Sequence, residues 1–119
     1  MNFINKKHQE KYEEIKQGMG FTNDRGEYAS LAYILSSPLL GSKIDIVLGD
    51  DYRYRGYDEV QEIITNFPFL TSESERVMIN LAISLYSSYG GDTIVNIFRA
   101  LDKENFKVAL NSINIRWGM

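Results

Sequence analysis

Apolar residues return every three or four positions along most of this chain, the period of helices that pack by one face. In the first segment Ile4, His8, Tyr12, Ile15 and Met19 keep that spacing, while Lys6, Lys7, Glu10, Glu13 and Glu14 fall mostly on the other side. The pattern predicts an amphipathic helix with Asn5 as its N-cap and Gly18 or Gly20 as the residue that leaves it with positive φ. A turn through residues 22–26 follows. Tyr28, Leu31, Ala32 and Leu35 then predict a second helix that ends near Ser36.

Ser37 before Pro38 reads as an N-cap with proline in the first turn, opening a third helix whose stripe is Leu40, Ile44, Val47 and Leu48. Gly41 weakens that helix, and the β-branched run at 44–47 would also suit a short strand. Helix is preferred from context, because no second strand-like run stands elsewhere to pair with it. Residues 49–57, GDDYRYRGY, carry no stripe and read as a loop. Asp58 is placed to cap a short helix bearing Val60, Ile63, Ile64 and Phe67, which must finish before Pro68. Ser72 and Glu75 have the spacing of a capping box ahead of a central helix with Val77, Met78, Leu81, Ala82, Leu85 and Tyr89, stopped by Gly90 and Gly91. Asp92 is read as the cap of a short helix with Ile94, Val95, Ile97 and Phe98. Asp102 is read as the cap of a last helix with Phe106, Ala109, Leu110, Ile113 and Trp117. The expected fold is all-α: one domain, residues 1–119, built as an irregular bundle of about six to seven helices.

A chain of 119 residues is long enough to bury a continuous core without crosslinks. Cysteine is absent, which excludes disulfides, thiolate nucleophiles and cysteine-ligated metal centres and suits a reducing, cytoplasmic setting. No apolar run approaches the ~18 residues of a membrane span, and the N-terminus lacks the profile of a signal peptide. The formal charge of −3 and pI of about 5.1 argue against a nucleic-acid binder that relies on a broad basic face. Lys103, Lys107 and Arg116 look dispersed, as on a solvated face.

Motifs of catalysis do not emerge. His8, the one histidine, sits on an apolar stripe, and the expectation is a hydrogen-bonded packing residue. Asp50, Asp51, Asp58 and Glu59 bracket the loop, but cation-ligand spacing from Asp51 would bring in Arg53 and Arg55, whose charges oppose a metal. No phosphate loop, nucleophile elbow or zinc-protease helix is present, and no cofactor is expected. Tyr86, Tyr89 and Trp117 read as core or core-edge aromatics.

The loop is the exception. Tyr52, Arg53, Tyr54, Arg55 and Tyr57 concentrate the side chains that dominate binding hot spots, with stiff aromatic area and planar multidentate donors. Packing of the rings against the helices, with the arginines paired to Asp50, Asp51, Asp58 or Glu59, is the competing reading. Phosphate contact with stacking of unpaired bases is a third.

Phe3, His8, Tyr12 and Met19, then Tyr28 with the run Leu31, Ala32, Tyr33, Ile34, Leu35, then the run from Leu81 to Tyr86 closing on Tyr89 and Gly90, form an order that extends over most of the chain. It resembles an uncharacterised DUF6075-like family of small helical proteins from Gram-positive bacteria and their mobile elements. The chain departs from that pattern around 49–57. The resemblance implies a small bacterial or phage-encoded accessory protein and supplies no catalytic residues. The expected function is therefore a non-enzymatic protein-interaction module, a modulator of a bacterial host protein reached through the 52–57 loop. The alternative is a nucleic-acid-associated regulator with a local basic face.

Overall fold

The computed structural model describes residues 1–88 and 94–118. It is an all-α bundle, and among the described residues it holds six α-helices: α1 (Lys6–Met19), α2 (Glu27–Leu35), α3 (Tyr57–Asn66), α4 (Glu73–Ser87), α5 (Ile94–Arg99) and α6 (Lys103–Trp117). Three short 3-10 turns, Ile44–Ile46, Asp50–Tyr52 and Pro68–Leu70, join them. The readings made for Tyr89, Gly90, Gly91, Asp92 and the side chain of Ile94 lie outside the described residues.

Several helix boundaries follow their local chemistry. The Asn5 side chain accepts from the His8 amide to start α1, and Gly20 ends it with φ of 80°. Ser72 and Glu75 form the full capping box of α4, and Asp102 caps α6 by accepting from Asn105 N. The cap of α3 differs from expectation. That helix begins at Tyr57 behind Gly56, whose φ of 97° makes the turn, and no side chain caps it. Asp58 and Glu59 instead lie in its first turn, where negative charge complements the helix dipole.

The helix expected from Ser37 does not form. Ser37 O accepts from both Leu40 N and Gly41 N, and the chain then advances by short-range bonds from Lys43 N to Leu40 O and from Ile46 N to Lys43 O. The segment's backbone is committed elsewhere: Arg55 N donates to Val47 O at 2.9 Å and Gly49 N to Arg53 O at 2.7 Å, pairings with the following turn for which a continuing helix would not leave these groups free. The helix-or-strand ambiguity of 44–48 resolves into neither. Ile44–Ile46 is a 3-10 turn, and Leu48 makes an isolated antiparallel bridge to Tyr54.

The core is organised around α2. Every residue from Ala29 to Leu35 is buried, because α1, α4 and α6 all pack on this one helix. A one-sided stripe therefore understates α2, and Tyr28, placed on that stripe, is exposed. In α4 the expected Val77, Met78, Leu81, Ala82 and Leu85 are buried, joined by Ile79 and Ile83.

His8 is a packing residue, 1% exposed. Its Nδ1 accepts from the Ile4 amide at 3.1 Å, and its Nε2 lies 2.9 Å from the Tyr33 carbonyl. With Nδ1 accepting, the proton resides on Nε2 and is donated to that carbonyl. Burial pulls its pKa below the usual 6.5, against the opposing effect of the Tyr33 bond. Both nitrogens are engaged, so a catalytic site built on His8 has no free atom to work with.

Candidate functional site

Residues 49–57 form an ordered turn rather than an open loop. Asp51 and Tyr52 both take φ of 57°, a conformation costly for a bulky side chain and kept only where the surroundings enforce it. What enforces it is α1. The Tyr52 ring lies on the bare backbone at Gly18, so close that a Cβ there would stand 2.2 Å from a ring carbon. Tyr54 packs its ring against Tyr86 at 4.8 Å, and burial raises its pKa. Arg55 donates from Nε to the Asp45 carbonyl at 2.9 Å and stands 3.7 Å from Glu59. Its guanidinium also covers Gly49. Tyr57 opens α3 and packs against the core.

Four of the five loop residues singled out by composition are thus partly buried and packed, and Arg53 alone among the five is exposed. The arginine pairing proposed as the structural reading is met at Glu59, while the Asp45 carbonyl was not foreseen. Among the described residues Tyr54 also ends a track of ring contacts that sequence reasoning missed. The track runs from Phe3 to Tyr12, Phe21, Tyr28, Tyr86 and Tyr54, with successive centroids 4.8–6.2 Å apart. Along it, burial together with the hydrogen bond that Tyr86 makes to Tyr28 pushes the Tyr86 hydroxyl up to about 12. The Tyr12 hydroxyl is raised further, by burial and by donation to Asp24 at 2.7 Å.

Unpartnered surface lies on α6 instead. The expected stripe there holds only in part: Ala109 is buried as expected, but Asn105, Val108, Ser112 and Ile115 share the inside with it, whereas Phe106 is 39%, Leu110 47% and Trp117 58% exposed. Both sets have helical spacing. The inner set wins because it is slim. Ala109 and Ser112, whose hydroxyl turns back to Ala109 O at 2.7 Å, let α6 lie close on α2, where Phe or Trp would hold it off. Asn105 is held by Asp102, to which its Nδ2 donates at 2.9 Å. The outer set, Phe106, Leu110, half-buried Ile113 and Trp117, advances by four, three and four residues and stays on one flank. Phe98 of α5 widens it through a ring contact with Phe106 at 4.7 Å, and exposed Val95 lies on the same short helix.

The charge at this flank is positive. Lys103 and Lys107 stand one turn apart on its outer border and make no ion pair among the described residues. Arg116 is engaged inward, donating to Leu85 O at 2.7 Å and facing Glu27 at 3.4 Å, with its guanidinium 5.1 Å from the Trp117 ring. A continuous basic face of Lys103, Lys107 and Arg116 is therefore not formed.

A second exposed apolar group follows α3. Residues 65–70 are exposed without a break, and Phe69 reaches 80% exposure, with Phe67 beside it at 6.2 Å between centroids. This tip is held firmly. Lys43 Nζ donates to Leu70 O and pairs with Glu75 at 2.9 Å, Leu70 N donates to Phe67 O at 3.0 Å, and Arg76 donates to Thr71 O at 2.7 Å.

Among the described residues no group of three or more His, Asp or Glu side chains is placed to hold a metal ion, and no helix is long and apolar enough to cross a membrane. No protein-family model, curated protein or solved structure matches the chain.

Proposed function

We propose that this protein is a cytoplasmic protein-interaction module whose docking surface is the outer flank of α6. The observation that carries this reading is the row of Phe106, Leu110, Ile113 and Trp117. Phe106, Leu110 and Trp117 leave large apolar area in water at the spacing of one helical edge, beyond what the contact of Phe106 with Phe98 and the packing of Ile113 on the core take up. Trp and Phe are hot-spot residues. Lys103 and Lys107 at the border favour a partner with an apolar contact and an acidic rim. The resemblance to a family of small accessory proteins supports action by contact rather than by chemistry. The 52–57 turn is assigned a supporting role, because its rings are occupied by Gly18 and Tyr86.

The test is a peptide-display selection against the immobilised protein, repeated with Leu110→Glu and Trp117→Glu. Enriched ligands should combine aromatic or aliphatic residues with Asp or Glu, and should lose binding to both variants while retaining it for Tyr57→Phe. Ligands that bind parent and α6 variants equally would place the docking surface elsewhere.

A further inference from the structure

Among the described residues the buried side-chain oxygens Ser37 Oγ, Thr71 Oγ1 and Asn105 Oδ1 have no hydrogen-bond partner. A buried hydroxyl left alone is costly, and a fold that keeps one has a use for it or a solvent molecule to satisfy it. Ser37 stands in the wall of a cleft of about 410 Å³ between the start of α1 and the turn that follows α2. Lys7 and Lys11, one turn apart on α1, line the same cleft with Ser36 and Ser42, and among the described residues no carboxylate does. We propose that this cleft binds the phosphoryl group of a small molecule whose remaining body is neutral or cationic.

The charges around the cleft favour an anion. A phosphoryl group carries about −1.5 to −2 charges near neutral pH, a match for two lysines. Lys7 makes no ion pair among the described residues, and Lys11 reaches Glu14 at 3.6 Å in a long, exposed pair that is weakly held. Asn5 caps α1 at the cleft and the first turn holds no acidic side chain, so the positive end of the helix dipole adds to the lysines. Glu10, one turn from Lys7, is exposed and outside the wall, and Lys43 is drawn away to Glu75. His8 contributes no donor, because both its nitrogens are engaged.

The wall is set before a ligand arrives. Ser37 O accepts from Leu40 N and Gly41 N, and Gly41 lies so close that a Cβ there would stand 3.3 Å from that oxygen. The Ser36 hydroxyl is already given to Tyr33 O at 3.1 Å. The Ser37 hydroxyl is left, and because it is buried it can be met only by a group seated deep in the cleft, which separates a bound ligand from ions loosely held by lysines. A neighbouring cleft limits the rest of the ligand. It shares Lys11, Gly41 and Ser42 but adds Glu14, Asp45 and Asp51, with Arg55 occupied by the Asp45 carbonyl and Glu59. A second negative charge on the ligand would be repelled there.

Amide NMR of the full chain tests this, with inorganic phosphate titrated into the tens of millimolar at fixed ionic strength so that screening stays constant. Saturable shifts should gather at residues 36–42 and the first turn of α1. Lys7→Gln and Lys11→Gln should each weaken binding by about fivefold or more, and Lys103→Gln, on α6, should leave it unchanged. Ser37→Ala should weaken binding by a similar factor while the melting midpoint of the free protein stays level or rises, since the hydroxyl removed has no partner there. Phosphoethanolamine should bind at least as tightly as phosphate, and phosphoglycolate more weakly. Shifts that never saturate or spread over all the lysines overturn the proposal. So does unaltered binding by Ser37→Ala, which would leave that hydroxyl to water, and so does a preference for phosphoglycolate over phosphoethanolamine.

Discussion

The 49–57 turn and helix α6 use the same kinds of residue in opposite ways. In the turn, tyrosines and one of two arginines whose composition advertises binding are taken up by the fold: Tyr52 by Gly18, Tyr54 by Tyr86, Arg55 by the Asp45 carbonyl and Glu59. In α6, phenylalanine, leucine and tryptophan whose spacing advertises a core are left outside. The difference lies in their small neighbours. Gly18 and Gly49 open room for a ring and a guanidinium, while Ala109 and Ser112 let α6 approach α2 by its slim side. The destination of a large side chain is set by the gap opposite it, and a helical period names a face without saying which of two faces turns inward.

The contrast can be broken most strongly from the turn. Tyr54→Ala removes the ring that closes the aromatic track and should destabilise the protein by about 2–3 kcal/mol in chemical denaturation, whereas Leu110→Asn should stay within about 0.5 kcal/mol of the parent. Equal losses would mean that the two regions are packed alike. Gly18→Ala forces a methyl into the Tyr52 ring and should cost about 1–2 kcal/mol despite alanine's better helix propensity. Combined with Tyr52→Ala it should cost much less than the sum, and strict additivity would show that the ring does not rest there.

A smaller effect separates the buried helix face from both regions. Since burial lowers the His8 pKa, the unfolded chain binds the proton more readily than the folded one. The associated stability is complete above about pH 6.5 and is lost as pH falls toward the folded value. The slope of unfolding free energy between about pH 7 and 5 should flatten in His8→Asn, and an unchanged slope would reassign it to other groups. Asp24, held below the carboxylate range first by the Tyr12 hydroxyl and then by Lys16, acts lower, with its share lost only as pH falls through its depressed value. Smallest of all, Arg53→Ala should change the melting midpoint by less than the scatter of repeated scans, because its side chain is exposed and pairs with nothing among the described residues.

Much of the fold was legible because its boundaries are written in local chemistry. Asn5, Gly20, Ser72 with Glu75, and Asp102 each satisfy backbone groups within a few residues of themselves, so their roles need no tertiary knowledge. His8 was legible from its neighbours on the stripe. Ser37 was not: the same serine-proline pair that opens a helix also tolerates a turn, and the pairing of Val47 and Gly49 with Arg55 and Arg53 decided between them. The candidate site was the least legible part. The 52–57 residues were found by composition, but their packing depends on Gly18, more than thirty positions away. The α6 flank was hidden because residues 105, 108, 109, 112 and 115 offer a second stripe of the same period that contains Asn and Ser, which hydropathy counts against a core. The exposed pair at Phe67 and Phe69 carried the one signal that could have been read, a proline between two phenylalanines after the end of a helix.

The enclosure of α2 has a consequence for biosynthesis. This nine-residue segment is too short to persist as a helix on its own, and its covers come from both ends of the chain: Tyr33 meets Asn111 across 78 positions, and the Gly26 amide donates to the Ile115 carbonyl. While the ribosome is still adding α6, one side of α2 has nothing to lie against, and its leucines and isoleucine face the tunnel exit uncovered. Folding of the nascent chain should therefore wait until α6 has emerged, and the interval before that is when the chain is most exposed to chaperones and proteases.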